Sequence, residues 1–148
     1  MKTCLLIVSA LIVSTNLMAA DGMVNIKSSQ SVKQTADRLV EILNNKGMTV
    51  FNRIGHSDAA SGVGIDLRDT ELVIFGNPKA GSPLMKCQQS VAIDLPQKAL
   101  IWQDADSAVW ISYNDPAYLK QRHAISGCDE AMNKIGNALA GITKAAAQ

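Results

Sequence analysis

Aromatic residues are scarce in this chain, with two Phe, two Trp and two Tyr among 148 residues. A core with so few rings must rest on aliphatic side chains, and a hydrophobic content of 47% supplies enough of them for a globular fold. Charge of one sign is lacking as well. Fourteen basic residues stand against 13 acidic ones for a net charge of +1, whereas binding a phosphate backbone needs a clustered excess of Lys and Arg. The densest basic stretch, Lys120 to His123, is one helical turn and reads as a solvated face. Nucleic acid is therefore excluded as a partner. No run approaches the roughly 20 consecutive apolar residues of a membrane-spanning helix. Also missing are Cys-x-x-Cys, His-x-x-x-His and Gly-x-Ser-x-Gly, so neither a close-spaced metal centre nor a nucleophile elbow is written in the chain.

What is there begins with MKTCLLIVSALIVSTNLMAA. Lys2 gives a positive start, Cys4 to Val13 form an apolar run broken only by Ser9, and Ala19 and Ala20 precede polar Asp21. These are the parts of a cleavable secretory signal over residues 1 to 20, with an uncleaved anchor as the alternative. Cleavage after Ala20 leaves residues 21 to 148 as one domain, periplasmic or secreted, with no membrane attachment. Its charge is then balanced, because Lys2 is lost.

Local patterns divide that domain. Met23, Val24 and Ile26 form a first strand, and Ser31-Val32-Lys33-Gln34 matches a capping box that opens a helix. Val32, Ala36, Leu39, Val40 and Leu43 recur on one face of it, and Gly47 stops it. Thr49 to Ile54 reads as a second strand. Val63, Ile65 and Leu67 alternate with smaller or polar residues, and Leu72 to Phe75 reads as a central strand covered on both faces. Ser82 and Pro83 have the form of a cap and first position for a second helix, ending near Asp94 before Pro96. Leu100 to Gln103 and Val109 to Tyr113 flank a four-residue turn, which makes a hairpin. Asp115-Pro116 starts a short helix to His123. The last helix, capped near Ser126 to Asp129, carries Cys128, Met132, Ile135, Leu139 and Ile142 at helical spacing. The order predicts an α+β fold, a single domain with a largely antiparallel sheet backed by helices and a long C-terminal helix.

The segments Phe51 to His56 (FNRIGH), Glu71 to Met85 (ELVIFGNPKAGSPLM) and Ile101 to His123 (IWQDADSAVWISYNDPAYLKQRH) resemble the bacterial and archaeal family called domain of unknown function 302. The resemblance spans nearly the whole mature chain. It implies an α+β fold and self-association, and no established activity comes with it. This chain departs from the pattern at Gly55, where relatives often carry an acid, and in having Cys87 and Cys128.

Several residues are candidates for chemistry. His56 follows a strand in a polar stretch and can titrate or bind metal, or serve as a hydrogen-bonded structural histidine. Its metal partners would have to come from Asp58, His123, Cys87 or Met85, and no metal site is assigned. His123, ending a short helix, reads as a partner of the helix dipole. The stretch Gly76 to Ser82 joins a buried strand to a helix start, where Asn77, Lys79 and Ser82 would border an anion or ligand site, or else form a turn chosen for its backbone geometry. Trp102 and Trp110 face each other across the hairpin and read as core or as a dimer contact. Tyr113 and Tyr118 can offer hydroxyls to a cleft or make structural hydrogen bonds. Cys87 and Cys128 remain after signal cleavage, an even count in an oxidising compartment, and lie on apolar helix faces, so they are expected to form a disulfide. Two separate buried thiols, or a soft-metal site joining Cys87 and Met85, are the alternatives.

Three functions follow as expectations. The first is an exported binding protein that holds a small ligand or metal ion near His56 and the Asn77 to Ser82 stretch, with Tyr113 contributing. The second is a structural or homodimeric interaction module of the cell envelope. The third is an enzyme using His56 as acid or base. No cofactor is indicated by any motif.

Overall fold

The computed structural model describes residues 22–148. The expected signal segment, residues 1 to 20, lies outside the described residues. Strand β1 (Met23–Ser28) leads into helix α1 (Val32–Asn45) through the capping box, with the Gln34 amide donating to Ser31 Oγ at 3.3 Å and the Ser31 amide donating to Gln34 Oε1 at 3.2 Å. The helix buries Val32, Thr35, Ala36, Leu39 and Leu43 along one stripe. Gly47 then turns the chain with φ +66°, a conformation that costs a Cβ-free residue little.

Strand β2 (Thr49–Gly55) is followed at once by a short helix α2 (His56–Ser61). Strand β3 (Thr70–Gly76) pairs with β2 in antiparallel register, from Thr49 opposite Gly76 to Gly55 opposite Glu71. Helix α3 (Pro78–Cys87) and a 3₁₀ turn (Gln89–Ile93) lead to β4 (Gln97–Gln103) and β5 (Val109–Asn114). The chain closes with α4 (Pro116–Arg122) and α5 (Asp129–Ala146). All five strands join one antiparallel sheet in the order β1-β5-β4-β3-β2.

Alternation along the strands decides which side chains meet the helices. Val73 and Phe75 of β3, Ala99 and Ile101 of β4, and Ile111 of β5 are fully buried beneath α1 and α5. Each fully buried Leu or Ile of this kind contributes about 2 kcal/mol by the area it removes from water. The C-terminus of α5 is tied to the end of β1, where the Ser29 amide donates to Ala147 O at 3.0 Å and the Ser28 and Thr35 hydroxyls meet at 2.7 Å.

Four expectations are corrected. The alternation at Val63, Ile65 and Leu67 makes no strand: these side chains are 74%, 59% and 43% exposed and the segment finds no sheet partner. Strand β3 is covered on one face alone, since Leu72 and Ile74 point away from α1 and α5 and are half-buried. Helix α3 begins at Pro78 with Asn77 as its cap, so Pro83 sits inside the helix and Ser82 caps nothing. It also ends at Cys87, well before Asp94. Trp102 and Trp110 are directly paired, as expected, but on the face turned away from the long helices and not in the core.

Candidate functional site

Helix α3 leaves the end of β3 and packs beside α5, and the space between them is a groove of about 880 Å³. One wall is the stripe Ala131, Ile135, Ala138, Leu139 and Ile142 of α5. Pro83 and Met85 of α3 line the other wall, with Leu95 and Pro96 below. Met48 and Phe51 close the sheet end, where Phe51 is 54% exposed. An exposed aromatic edge on an apolar groove gains by being covered.

One polar side chain interrupts this lining from within. Gln97 opens β4 on the same sheet face as Ala99 and Ile101, so strand alternation turns it toward the helices. It is only 8% exposed, lines the groove, and its Nε2 has no hydrogen-bond partner among the described residues. A buried donor left unmatched costs roughly 1–3 kcal/mol.

Asn77, Lys79 and Ser82 border the groove. Asn77 is a helix cap whose Oδ1 accepts from the Lys79 amide at 2.9 Å, and the Ala80 and Gly81 amides donate to Asn77 O. Pro78 has no N–H, so the first turn of α3 has no spare amide for an anion, in keeping with a stretch chosen for its backbone geometry. Among the described residues no carboxylate pairs with the Lys79 ammonium.

His56 stands elsewhere. It is exposed at the start of α2, beyond the Gly55 end of β2, and six residues of strand, roughly 20 Å, separate that end from the Thr49–Gly76 end beside the groove. Tyr113 is 6% exposed on the helix face of β5, away from the groove, and burial pushes its phenol above the ordinary value. Cys87 and Cys128 are joined as a disulfide with Cα atoms 6.5 Å apart, so neither thiol is left for a metal. No cluster of three His, Cys, Asp or Glu able to hold a metal ion occurs among the described residues.

A second polar cluster was not foreseen. His123 caps the end of α4 with Nε2 at 2.6 Å from Asp94 Oδ2 and Nδ1 at 3.0 Å from Ser90 Oγ. Arg122 Nε reaches the same Asp94 oxygen at 3.4 Å, and the Gln88 amide donates to His123 O at 3.0 Å. The order Ser, His, Asp invites comparison with nucleophilic catalysis, which needs a substrate cleft at the hydroxyl. None of the three lines the groove. The cluster ties α4 to the segment before β4. Sequence reading missed it because its members are 33 and 29 residues apart.

These features define a small α+β domain, five antiparallel strands backed on one face by helices, with an apolar groove at one end. Residues 24–142 match the family described as domain of unknown function DUF302, and the chain belongs to that family. The crystal structure of an uncharacterized conserved DUF302 protein from Bacillus stearothermophilus has the same fold, with a TM-score of 0.77 at 20% identity over 86% of this chain and 99% of that one. Fluoride-specific ion channel FluC 1 of Brucella suis biovar 1 is 39% identical over 127 residues, covering 85% of this chain and 50% of that protein. Fluoride-specific ion channel FluC 1 of Brucella abortus biovar 1 is 39% identical over 127 residues, covering 85% and 47%. The chain spans about half the length of these curated relatives.

Proposed function

We propose that this domain is an exported binding module that holds a small, mainly apolar molecule in the groove between α3 and α5. The observation that carries this reading is the groove itself, about 880 Å³, lined mainly by apolar side chains such as Phe51, Met85, Leu95, Ile135, Leu139 and Ile142, with Asn77, Lys79, Ser82 and Gln97 among a few polar ones. Ligand sites have this composition, apolar walls with few placed polar groups. Export is supported by the apolar run before Asp21 and by the disulfide, which persists in oxidising compartments. Asn77, Lys79 and Ser82 border the proposed site, and His56 and Tyr113 are not part of it. The Brucella proteins named fluoride-specific ion channels are about twice as long as this chain. No helix among the described residues is long and apolar enough to cross a membrane.

Native mass spectrometry of protein purified from its own compartment tests the reading. A retained organic molecule is expected, lost when Ala138→Trp fills the groove from its exposed α5 wall and kept in His56→Ala. Protein that is empty, and that takes up no apolar compound when offered one, overturns it.

A homodimeric interaction module is the second reading, supported by a different surface. Leu72, Ile74, Leu100, Trp102 and Trp110 form a half-buried apolar patch on the sheet face turned from α1 and α5. Light scattering tests it: a monomer at high concentration removes it.

A further inference from the structure

We propose that the Cys87–Cys128 disulfide is a reducible latch on the groove, and that its reduction by a dithiol reductant releases the α3 wall while the rest of the domain stays folded. The latch acts on the wall itself, whatever the groove holds.

The two walls are held very differently. Helix α5 has 18 residues and buries Met132, Ile135, Leu139, Ile142, Thr143 and Ala146. Helix α3 has 10 residues and buries Leu84 alone, with Met85 half-buried beside it. Its own turns are weak, because Gly81 is a poor helix former and Pro83 has no amide to donate to Lys79 O. Among the described residues no hydrogen bond or ion pair joins residues 78–87 to α5. Cys128 Sγ stands 3.9 Å from Pro83 O, but a disulfide sulfur has no proton to donate. What fixes α3 against α5 is therefore a little apolar burial and the bond from Cys87, its last residue, to Cys128, the cap of α5.

That bond lies within reach of solvent, since Cys87 is exposed and Cys128 half-buried. A thiolate of the reductant attacks Cys87 Sγ, the bond between the two sulfurs breaks, and Cys128 leaves as a thiolate. The reductant's second thiol then displaces Cys87 and closes the reductant into its own disulfide, and the two protons it gives up end on the two cysteines. With the link cut, little burial opposes local opening of α3, and the groove loses the wall that Pro83 and Met85 supply. Phe75 before the helix and Val91 after it are fully buried, and the Gln88 side chain donates to His123 O at 3.0 Å, so the opening is confined to α3.

Hydrogen exchange of the purified protein, oxidised and after anaerobic treatment with dithiothreitol, tests the latch, read by mass spectrometry of peptides from α3, α1 and α5. Dithiothreitol is expected to free both thiols without denaturant. At short labelling times the α3 amides of the reduced protein should exchange about tenfold or more faster than in the oxidised protein, while α1 and α5 stay protected. The Cys87→Ser, Cys128→Ser double variant should show the same pattern without reductant and should not change when dithiothreitol is added. Equal α3 exchange in the oxidised and reduced proteins would mean that the wall stands without the bond and would overturn the proposal. Loss of protection in α1 and α5 at the same labelling times would overturn it too, because the bond would then hold the whole domain. So would a bond that dithiothreitol reduces only after denaturation.

Discussion

Cys87 at the end of α3 and Cys128 at the head of α5 are bonded to one another at the far end of the groove, with Cα atoms 6.5 Å apart. The bond joins the two helices that wall the groove, so stability and groove shape depend on one link. Closing a loop with a sequence separation of 41 removes chain entropy worth about 4 kcal/mol. The Cys87→Ala, Cys128→Ala double variant should unfold at markedly lower denaturant. Thiol titration of denatured, unreduced wild-type protein should find no free thiol at either position, and two per mature chain would contradict the bond.

Asp104 organises the β4–β5 turn through four contacts within one loop, three accepted by its carboxylate and one donated by its amide. Its Oδ1 takes the Asp106 and Ala108 amides at 2.9 and 2.8 Å, and its Oδ2 takes Trp110 Nε1 at 2.7 Å, while its own amide donates to Ala108 O at 2.9 Å. The Trp110 indole, followed by the two amides, holds the carboxyl below the usual carboxylate range. A group depressed in the fold stabilises it above the unfolded pKa and loses that contribution as pH falls through the folded value. Wild-type stability should therefore decline from about pH 4 downward. Asp104→Asn should be destabilised at neutral pH, because either its amide nitrogen faces Trp110 Nε1 or its oxygen leaves the turn amides. Thermal melts across pH should show the two proteins converging in acid. A constant difference would mean the charge does not matter there.

Much of the fold was legible because local chemistry and tertiary structure agreed. Ser31 with Gln34, the Val32 to Leu43 stripe, Gly47 and the Met132 to Ile142 stripe each mean the same thing in isolation and in place. Helix α2 was not legible, since six residues are too few for a period and none of them is buried. The start of α3 was ambiguous for another reason. Asn77-Pro78 and Ser82-Pro83 carry the same cap signature, and the observed helix uses the first, leaving Lys79 O without a helical donor at Pro83. The groove was half legible. Asn77, Lys79 and Ser82 stand out from their place before a helix and do line it, although the helix begins earlier than expected. Gln97 was invisible because a Gln is notable only when buried, and its burial depends on strand register.

His123 and Asp94 make the shortest side-chain contact of the second polar cluster, and both are nearly buried, at 7% and 12% side-chain exposure. Removing one partner strands the other away from water, which costs roughly 1–3 kcal/mol. His123→Ala and Asp94→Asn should each lower stability by about that amount, and a double-mutant cycle should show a coupling of about 1 kcal/mol or more. Ligand binding in the groove should be little changed at matched folded fraction. Coupling near zero would make the contact incidental.

Gln97→Leu measures what the unmatched amide costs the fold. In ligand-free protein the wild-type amide has lost its water and gained no partner at Nε2, so replacing it with an apolar group of similar volume removes an uncompensated burial cost. The neighbouring side chains on that face are Ala99 and Ile101, which suit a Leu. We expect the variant to be more stable than wild type by roughly 1–2 kcal/mol when both are empty. Denaturant melts of the two proteins give the difference. A Gln97 whose side chain holds the fold together would behave oppositely, losing stability on substitution, and that outcome would mean Nε2 has a partner in solution.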